Sequence, residues 1–258
     1  MNLQAIVLAT VLLAVTTPVI AGAACEVRSG PHMAALIELY TSEGCSSCPP
    51  ADRQLMQLNS VLDASAEAVP LAWHVGYWDR LGWTDRFAQD RFAERQAGLA
   101  QANRQRTVYT PEFFVAGAEI RSWRRSLRDV VRDVNARPAL AAIRLHAAVS
   151  PGRILALDAA ATAPADNNAA VLYLAVAENG LASEVKAGEN TGATLRHDHV
   201  VRAWLGPFPL SGGKAQVRRE VALPAGWQRD RLEAAAFVQD ERSGEVLQAL
   251  RTIPCPGA

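Results

Sequence analysis

Residues 34–41 read Ala34-Ala35-Leu36-Ile37-Glu38-Leu39-Tyr40-Thr41, an apolar run that predicts a buried strand. It ends at Ser42-Glu43-Gly44, and Cys45-Ser46-Ser47-Cys48-Pro49-Pro50 follows. Leu55, Leu58 and Leu62 then recur at helical spacing, which sets Cys45 at the exposed N-terminal end of a helix and Cys48 in its first turn. Residues 69–75, Val-Pro-Leu-Ala-Trp-His-Val, predict a second buried strand, and residues 76–85 form an aromatic-rich loop. Thr84 or Asp85 is placed to cap a helical region that carries Phe87, Phe92 and Leu99 to about residue 105. Thr110-Pro111 precedes the apolar run 112–115, a place where the missing N–H restricts proline to an edge, a first position or a bulge. After the turn at 116–118, Ser122 is placed to cap the clearest helix in the chain, with the stripe Leu127, Val130, Val131, Val134.

Beyond Arg137-Pro138 the period changes from helical to alternating. Ile143, Leu145, Ala147 and Val149 alternate with Arg144, His146 and Ala148, and Ser150-Pro151-Gly152 turns the chain into a second alternating run. Strand-like runs recur at 171–176, 197–204, 215–223, 232–238 and 246–253, separated by Asp166-Asn167-Asn168, Gly212-Gly213 and Ser243-Gly244. This spacing predicts a mostly antiparallel β-sandwich over residues 138–258, behind an α/β unit over 25–137.

Composition narrows the function classes. The 258 residues carry 26 Lys plus Arg and 26 Asp plus Glu, a balance that gives no reason to invoke nucleic acid as a partner. The arginines 121, 124, 125, 128 and 132 lie opposite the apolar stripe of their helix and read as a solvated face. Residues 5–15 are apolar but too few to span a bilayer, and Ala21-Gly22-Ala23-Ala24 follows. That pattern reads as a signal peptide over 1–24, with export to the periplasm or beyond and no transmembrane segment in the mature chain. Cys25 directly after it raises lipid anchoring, which ranks below simple export because Gly22 stands where a lipoprotein signal has a branched residue or leucine.

Exported cysteines persist as disulfides, and the simplest pairing of the four is Cys45–Cys48 with Cys25–Cys255. A four-cysteine zinc site needs a second close pair, and Cys25 and Cys255 stand alone. A thiol at a helix N-terminus has a raised thiolate fraction, which makes Cys45 the candidate nucleophile and Cys48 the resolving thiol. Trp73, Trp78 and Trp83 are either a packing cluster, the favoured reading, or the wall of a groove beside the thiols. His197 and His199 alternate on a predicted strand and are the minority candidates for a metal pair. His32, His74 and His146 are isolated and receive no role.

The order strand, C-x-x-C, helix, strand, helix, Thr-Pro, strand, turn, strand, helix resembles the thioredoxin fold. The wording Glu38-Leu39-Tyr40-Thr41-Ser42-Glu43-Gly44-Cys45-Ser46-Ser47-Cys48, with Tyr77-Trp78-Asp79-Arg80-Leu81-Gly82-Trp83 and Val108-Tyr109-Thr110-Pro111-Glu112, is similar to a family of exported bacterial proteins catalogued as a domain of unknown function, DUF1223. Gly188-Glu189-Asn190 and His197-Asp198-His199-Val200-Val201-Arg202 extend that likeness into the second half. The resemblance implies a cis Pro111 lying against the cysteines, a Thr110-Pro111 backbone that docks a substrate chain, and a role for Glu38 either in proton transfer or in a plain ion pair. Gly44 replaces the tryptophan usual before the first cysteine, and Ser46-Ser47 replaces Gly-Pro, so the redox poise does not carry over. Three functions follow. The first is thiol-disulfide exchange with protein thiols or disulfides and an unidentified redox partner, without a cofactor. The second is a binding or structural protein with a permanent Cys45–Cys48 bridge, and the third is Cu(I)-type metal handling by the same cysteines.

Overall fold

The computed structural model describes residues 26–256, so the expected signal peptide and Cys25 lie outside the described residues. In chain order the first half holds β1 (Glu26–Arg28), β2 (Ala35–Thr41), α1 (Pro49–Met56), α2 (Leu58–Val61), β3 (Ala68–His74), a 3₁₀ turn at Gly76–Leu81, α3 (Asp90–Ala102), β4 (Glu112–Val115), β5 (Ala118–Glu119) and α4 (Trp123–Asn135). The second half is almost all strand: β6 (Ala142–Val149), β7 (Ile154–Thr162), β8 (Ala170–Glu178), β9 (Leu181–Glu184), β10 (Thr194–His197), β11 (Val200–Pro209), β12 (Lys214–Ala222), β13 (Leu232–Asp240), β14 (Val246–Thr252) and β15 (Cys255–Pro256).

The boundary that the change of period draws at 137/138 does not divide the sheets. One eight-stranded sheet runs in the order β14-β13-β8-β11-β3-β2-β4-β5, so strands of the second half continue the sheet of the first. The junction is short: β11 pairs with β3 in parallel through Val200 and Ala72, and the Ala72 N–H donates to the His199 carbonyl at 2.8 Å. A second sheet, β1-β6-β7-β12, has β15 added on β6. Residues of β6 and β7 meet residues of β8, β13 and β14 in one apolar core between the two sheets.

Strand β8 explains how the two halves merge. All nine of its residues are buried, with Leu172, Leu174 and Val176 in the core between the sheets and Val171, Tyr173, Ala175 and Ala177 in the core of the first half. A continuous apolar run is what a strand covered on both faces requires. Strand β13 divides in the same way, with Ala234, Ala236 and Val238 on one side and Ala235 and Phe237 on the other.

Helix α4 buries Trp123, Leu127, Val131 and Val134, while Arg121, Arg124, Arg125, Arg128 and Arg132 are exposed. Its N-cap Ser122 makes no capping hydrogen bond, because the Ser122 hydroxyl lies 2.9 Å from that of Ser126 instead. Helix α3 begins at Asp90 with Gln89 as N-cap, so neither Thr84 nor Asp85 caps it. Gly117, at φ 88°, has room for no side chain, since an added Cβ would lie 1.9 Å from the Gly244 carbonyl oxygen. There the β4–β5 turn meets the β13–β14 turn. Strands β1 and β15 both lie on β6, pairing Glu26 with His146 and Cys255 with Ala148. The expected Cys25–Cys255 bridge involves a residue outside the described ones. Among the described residues no helix is long and apolar enough to cross a membrane.

Candidate functional site

Strand β2 delivers the chain to the cysteines, and Pro49 and Pro50 start α1 behind them. A proline at the first helical turn loses no hydrogen bond, since N–H groups there have no intrahelical acceptor. The turn between is closed by the Cys45 N–H to the Ser42 carbonyl and by the Cys48 N–H to the Cys45 carbonyl, both at 3.2 Å. Cys45 and Cys48 form a disulfide with their Cα atoms 5.4 Å apart. Gly44 is glycine because Trp78 fills the space beside it: an added Cβ would come within 2.9 Å of the Trp78 Cβ.

The expectation of an exposed Cys45 is corrected, because both cysteines are fully buried. Two covers account for this. On one side stands the Thr110–Pro111 peptide, which is cis, with the Thr110 carbonyl 3.5 Å from the Ser47 hydroxyl and the Thr110 hydroxyl accepting from the Trp78 indole at 2.8 Å. On the other lies the β9–β10 connection from the second half. Glu189 Oε2 accepts from the Ser46 N–H at 3.0 Å, and Asn190 Nδ2 donates to the carbonyls of Glu43 and Cys45 at 2.8 and 3.0 Å. The Ser46 donor also holds the Glu189 carboxyl below its ordinary pKa.

Beneath the turn is a buried polar cluster. Asp85 Oδ2 lies 2.7 Å from His74 Nδ1 and accepts from the Glu43 N–H at 2.9 Å, while Asp85 Oδ1 accepts from the Phe87 N–H at 2.9 Å. Burial opposes both charges, yet each partner favours the other, so His74 is raised and Asp85 lowered. The second half adds His197, whose ring packs edge-on to His74 at 4.9 Å with Nε2 3.3 Å from Glu43 Oε1. Burial pushes Glu43 up, but His197 and Trp83 outweigh it, and its pKa is lowered; the Trp83 indole donates to Glu43 Oε2 at 2.8 Å. Asp52, in the first turn of α1 and four residues from Cys48, is pushed up by burial against the opposing pull of His197 and His74. His74 Nε2 and His197 Nδ1 are buried with no protein hydrogen-bond partner.

The remaining sequence candidates separate. Glu38 receives both charged arms of Arg95, at 2.7 and 2.9 Å, and Arg95 also reaches Gln239 of β13 at 3.2 Å. Of its two expected roles, the plain ion pair is the one its contacts describe. His197 and His199 do not converge on one ion, because the strand breaks between them. His199 adopts φ 58° in the turn before β11 and pairs with Glu233 at 2.9 Å, whereas His197 faces Glu43. Among the described residues no three His, Cys, Asp or Glu side chains are grouped to hold a metal. The tryptophans divide too: Trp73 is core, stacked on Tyr40 and edge-on to Phe92 and Trp204, while Trp78 and Trp83 bond to Thr110 and Glu43 around the cysteine turn.

Sequence reasoning missed Glu43, Asp52, His74 and Asp85. Their signal was faint, a carboxylate just before the C-x-x-C and a histidine closing a strand. Glu112, next to Pro111, was also missed. Its carboxyl is buried, accepts from Gln96 Nε2 at 2.6 Å, and is pushed up to about 7 by that burial.

Comparison with known proteins adds the following. In solved structures the chain is similar to HBP35 of Porphyromonas gingivalis, with a TM-score of 0.68 and 17% identity over 89% of this chain and 78% of that one. It is also similar to the Agrobacterium tumefaciens protein AGR_C_4864, with a TM-score of 0.63 and 23% identity over 89% of this chain and 98% of that one. At such identities the likeness is one of fold. No curated protein matches the chain. The profile of the family described as "Protein of unknown function (DUF1223)" matches residues 36–239, most of the described chain and both covers of the disulfide, and the chain belongs to that family.

Proposed function

We propose that this chain is an exported, thioredoxin-like protein that carries out thiol-disulfide exchange at Cys45 and Cys48. The observation that carries the reading is the disulfide between the end of β2 and the start of α1, facing the cis Thr110–Pro111 peptide. In exchange, a thiolate attacks one sulfur of the pair, the other sulfur leaves as a thiolate, and a mixed disulfide forms. Cys45, ahead of the helix, is the sulfur that meets the partner, with Cys48 the leaving thiolate in this direction; in the reverse direction Cys45 thiolate attacks a partner disulfide and Cys48 resolves the mixed disulfide. The Thr110–Pro111 backbone, directly ahead of β4, is the segment read as docking a partner chain, and an apolar leader before residue 25 supports export.

The full burial of both sulfurs favours a second reading, a permanent bridge in a binding protein. Equilibration of the purified mature protein with glutathione buffers, with Cys25 and Cys255 replaced by alanine, separates the two. A potential between about −270 and −120 mV supports exchange, whereas a pair that stays oxidised below about −300 mV assigns the bridge a structural role.

A further inference from the structure

The β9–β10 connection, residues 185–193, is a closed loop laid over the disulfide. Its base is pinched by the Val185 N–H to the Ala193 carbonyl at 2.9 Å and the Gly192 N–H to the Val185 carbonyl at 2.8 Å. Inside it, Thr191 donates to the Gly188 carbonyl through its hydroxyl at 2.6 Å, and the Ala193 N–H donates to the Asn190 carbonyl at 3.0 Å. Gly188, at φ 74°, sits against Trp83. This internal bonding presents two side chains to the cysteine turn. The Glu189 carboxylate takes the Ser46 N–H, and the Asn190 amide bridges the carbonyls of Glu43 and Cys45, the latter of which also accepts from the Cys48 N–H.

The contacts are of the kind an incoming chain makes. Ser46 N–H, Glu43 C=O and Cys45 C=O are backbone groups around the sulfur expected to react, and an intramolecular segment 143 to 147 residues downstream bonds all three. With the loop bonded to this backbone, both cysteines are fully buried. The loop meets the cysteine turn through three side-chain hydrogen bonds and the Gly188 contact, while Val185 at its base is buried.

Resting on the exchange reading above, we infer that residues 188–190 are an autoinhibitory strap seated where the partner docks, and that the partner is a polypeptide offering a carboxylate and an amide donor beside its reactive cysteine. Such a chain replaces Glu189 on Ser46 N–H and Asn190 on the two carbonyls. A dithiol partner would then react in balance: its first thiolate attacks Cys45 Sγ, the Cys45–Cys48 bond breaks as the new S–S bond forms, and Cys48 leaves as a thiolate that takes a proton. The partner's second thiolate attacks the partner sulfur of the mixed disulfide, which releases an oxidised partner and a reduced Cys45.

The test first reads access alone. The small phosphine TCEP needs no recognition: it attacks one sulfur, the other leaves as a thiolate, and hydrolysis of the thiophosphonium by water gives the phosphine oxide and the second thiol, so the disulfide oxidises the phosphine. With Cys25 and Cys255 retained and checked by peptide mapping, Cys45–Cys48 reduction in Glu189→Ala/Asn190→Ala is expected to be at least tenfold faster than in the native chain. Glu189→Gln, which keeps the side chain's shape, is expected to give about threefold. Rates within twofold of the native chain for both variants overturn the strap. The second arm compares two dithiol peptides that differ only in Glu-Asn or Ala-Ala beside the attacking cysteine. Exchange at least fivefold faster with Glu-Asn supports the partner chemistry, and equal rates overturn it. Faster phosphine reduction with no exchange from either peptide upholds the strap and rejects the exchange reading, while exchange without faster reduction does the reverse.

Discussion

Asp85 is the residue on which the cysteine turn rests. It is paired with His74 at 2.7 Å with both side chains fully buried, and it takes backbone N–H groups of Glu43 and Phe87. Asp85→Asn keeps an acceptor oxygen for one of the two N–H groups and removes the charge, which leaves His74 buried without its counter-ion. Breaking a buried pair this way costs about 3–5 kcal/mol, so the urea midpoint falls by roughly 1–2 M at the slopes usual for domains. Asp85→Ala, which also strands two donors, costs about 2 kcal/mol more. The pH dependence has a definite sign. Asp85 is lowered, so its contribution is present above its unfolded value of 3.8 and is lost as pH falls through the folded one. His74 is raised, so its contribution is present below 6.5 and is lost as pH rises through its folded value. The two act together between these values. The cost of Asp85→Asn is therefore largest near pH 5.5 and shrinks towards pH 9, measured as the difference in unfolding free energy between native and variant chains. A cost under about 1 kcal/mol at pH 5.5, or one equal at both pH values, would refute the ion pair.

Glu112→Gln tests the buried carboxyl beside Pro111. A folded pKa of about 7 against an ordinary 4.5 means the folded state keeps a proton that the unfolded chain has lost, so native stability declines as pH rises from 4.5 to 7. The amide keeps the acceptor for Gln96 and carries no charge, so the variant is expected to be more stable at pH 8 by about 1–3 kcal/mol and indistinguishable at pH 4.5, read from thermal unfolding. Gly117→Ala forces a Cβ onto the Gly244 carbonyl at positive φ, and a loss of about 2–5 kcal/mol in chemical unfolding is expected. A loss under 1 kcal/mol there means the β4–β5 and β13–β14 turns do not meet.

What was legible in the sequence was local. The run 34–41 stands as β2, the Leu127, Val131, Val134 stripe as the buried face of α4, and the alternation after 142 as β6 and β7. Each is set by a period that short stretches carry by themselves. What was not legible depends on partners far along the chain. Cys45 was expected to be exposed because the helix start favours it, and it is covered by Glu189 and Asn190, which no local pattern links to it. Alternation places His197 and His199 on one face only of an unbroken strand, and the positive φ at His199 breaks it. Asp85 read as a cap, since an Asp before a helical pattern usually is one, but a histidine eleven residues earlier claims its carboxylate.

The same distant partners decide how the chain must be regarded chemically. Residues 25–137 contain every atom of the disulfide, and an α/β reading treats them as self-sufficient. Three features oppose that. The edge of β3 is occupied by β11, Arg95 that neutralises buried Glu38 is held by Gln239 of β13, and Tyr173 and Phe237 from the second half stand within 6 Å of the Arg95 guanidinium. Cutting at 137 bares a strand edge and leaves a buried carboxylate's guanidinium without its apolar walls, both costly changes. His197 completes the polar cluster under the cysteines, and Glu189 and Asn190 close over them, again from the second half. The β-rich half is therefore part of the disulfide's surroundings rather than an appendage to them, and the properties of the Cys45–Cys48 pair belong to the whole chain.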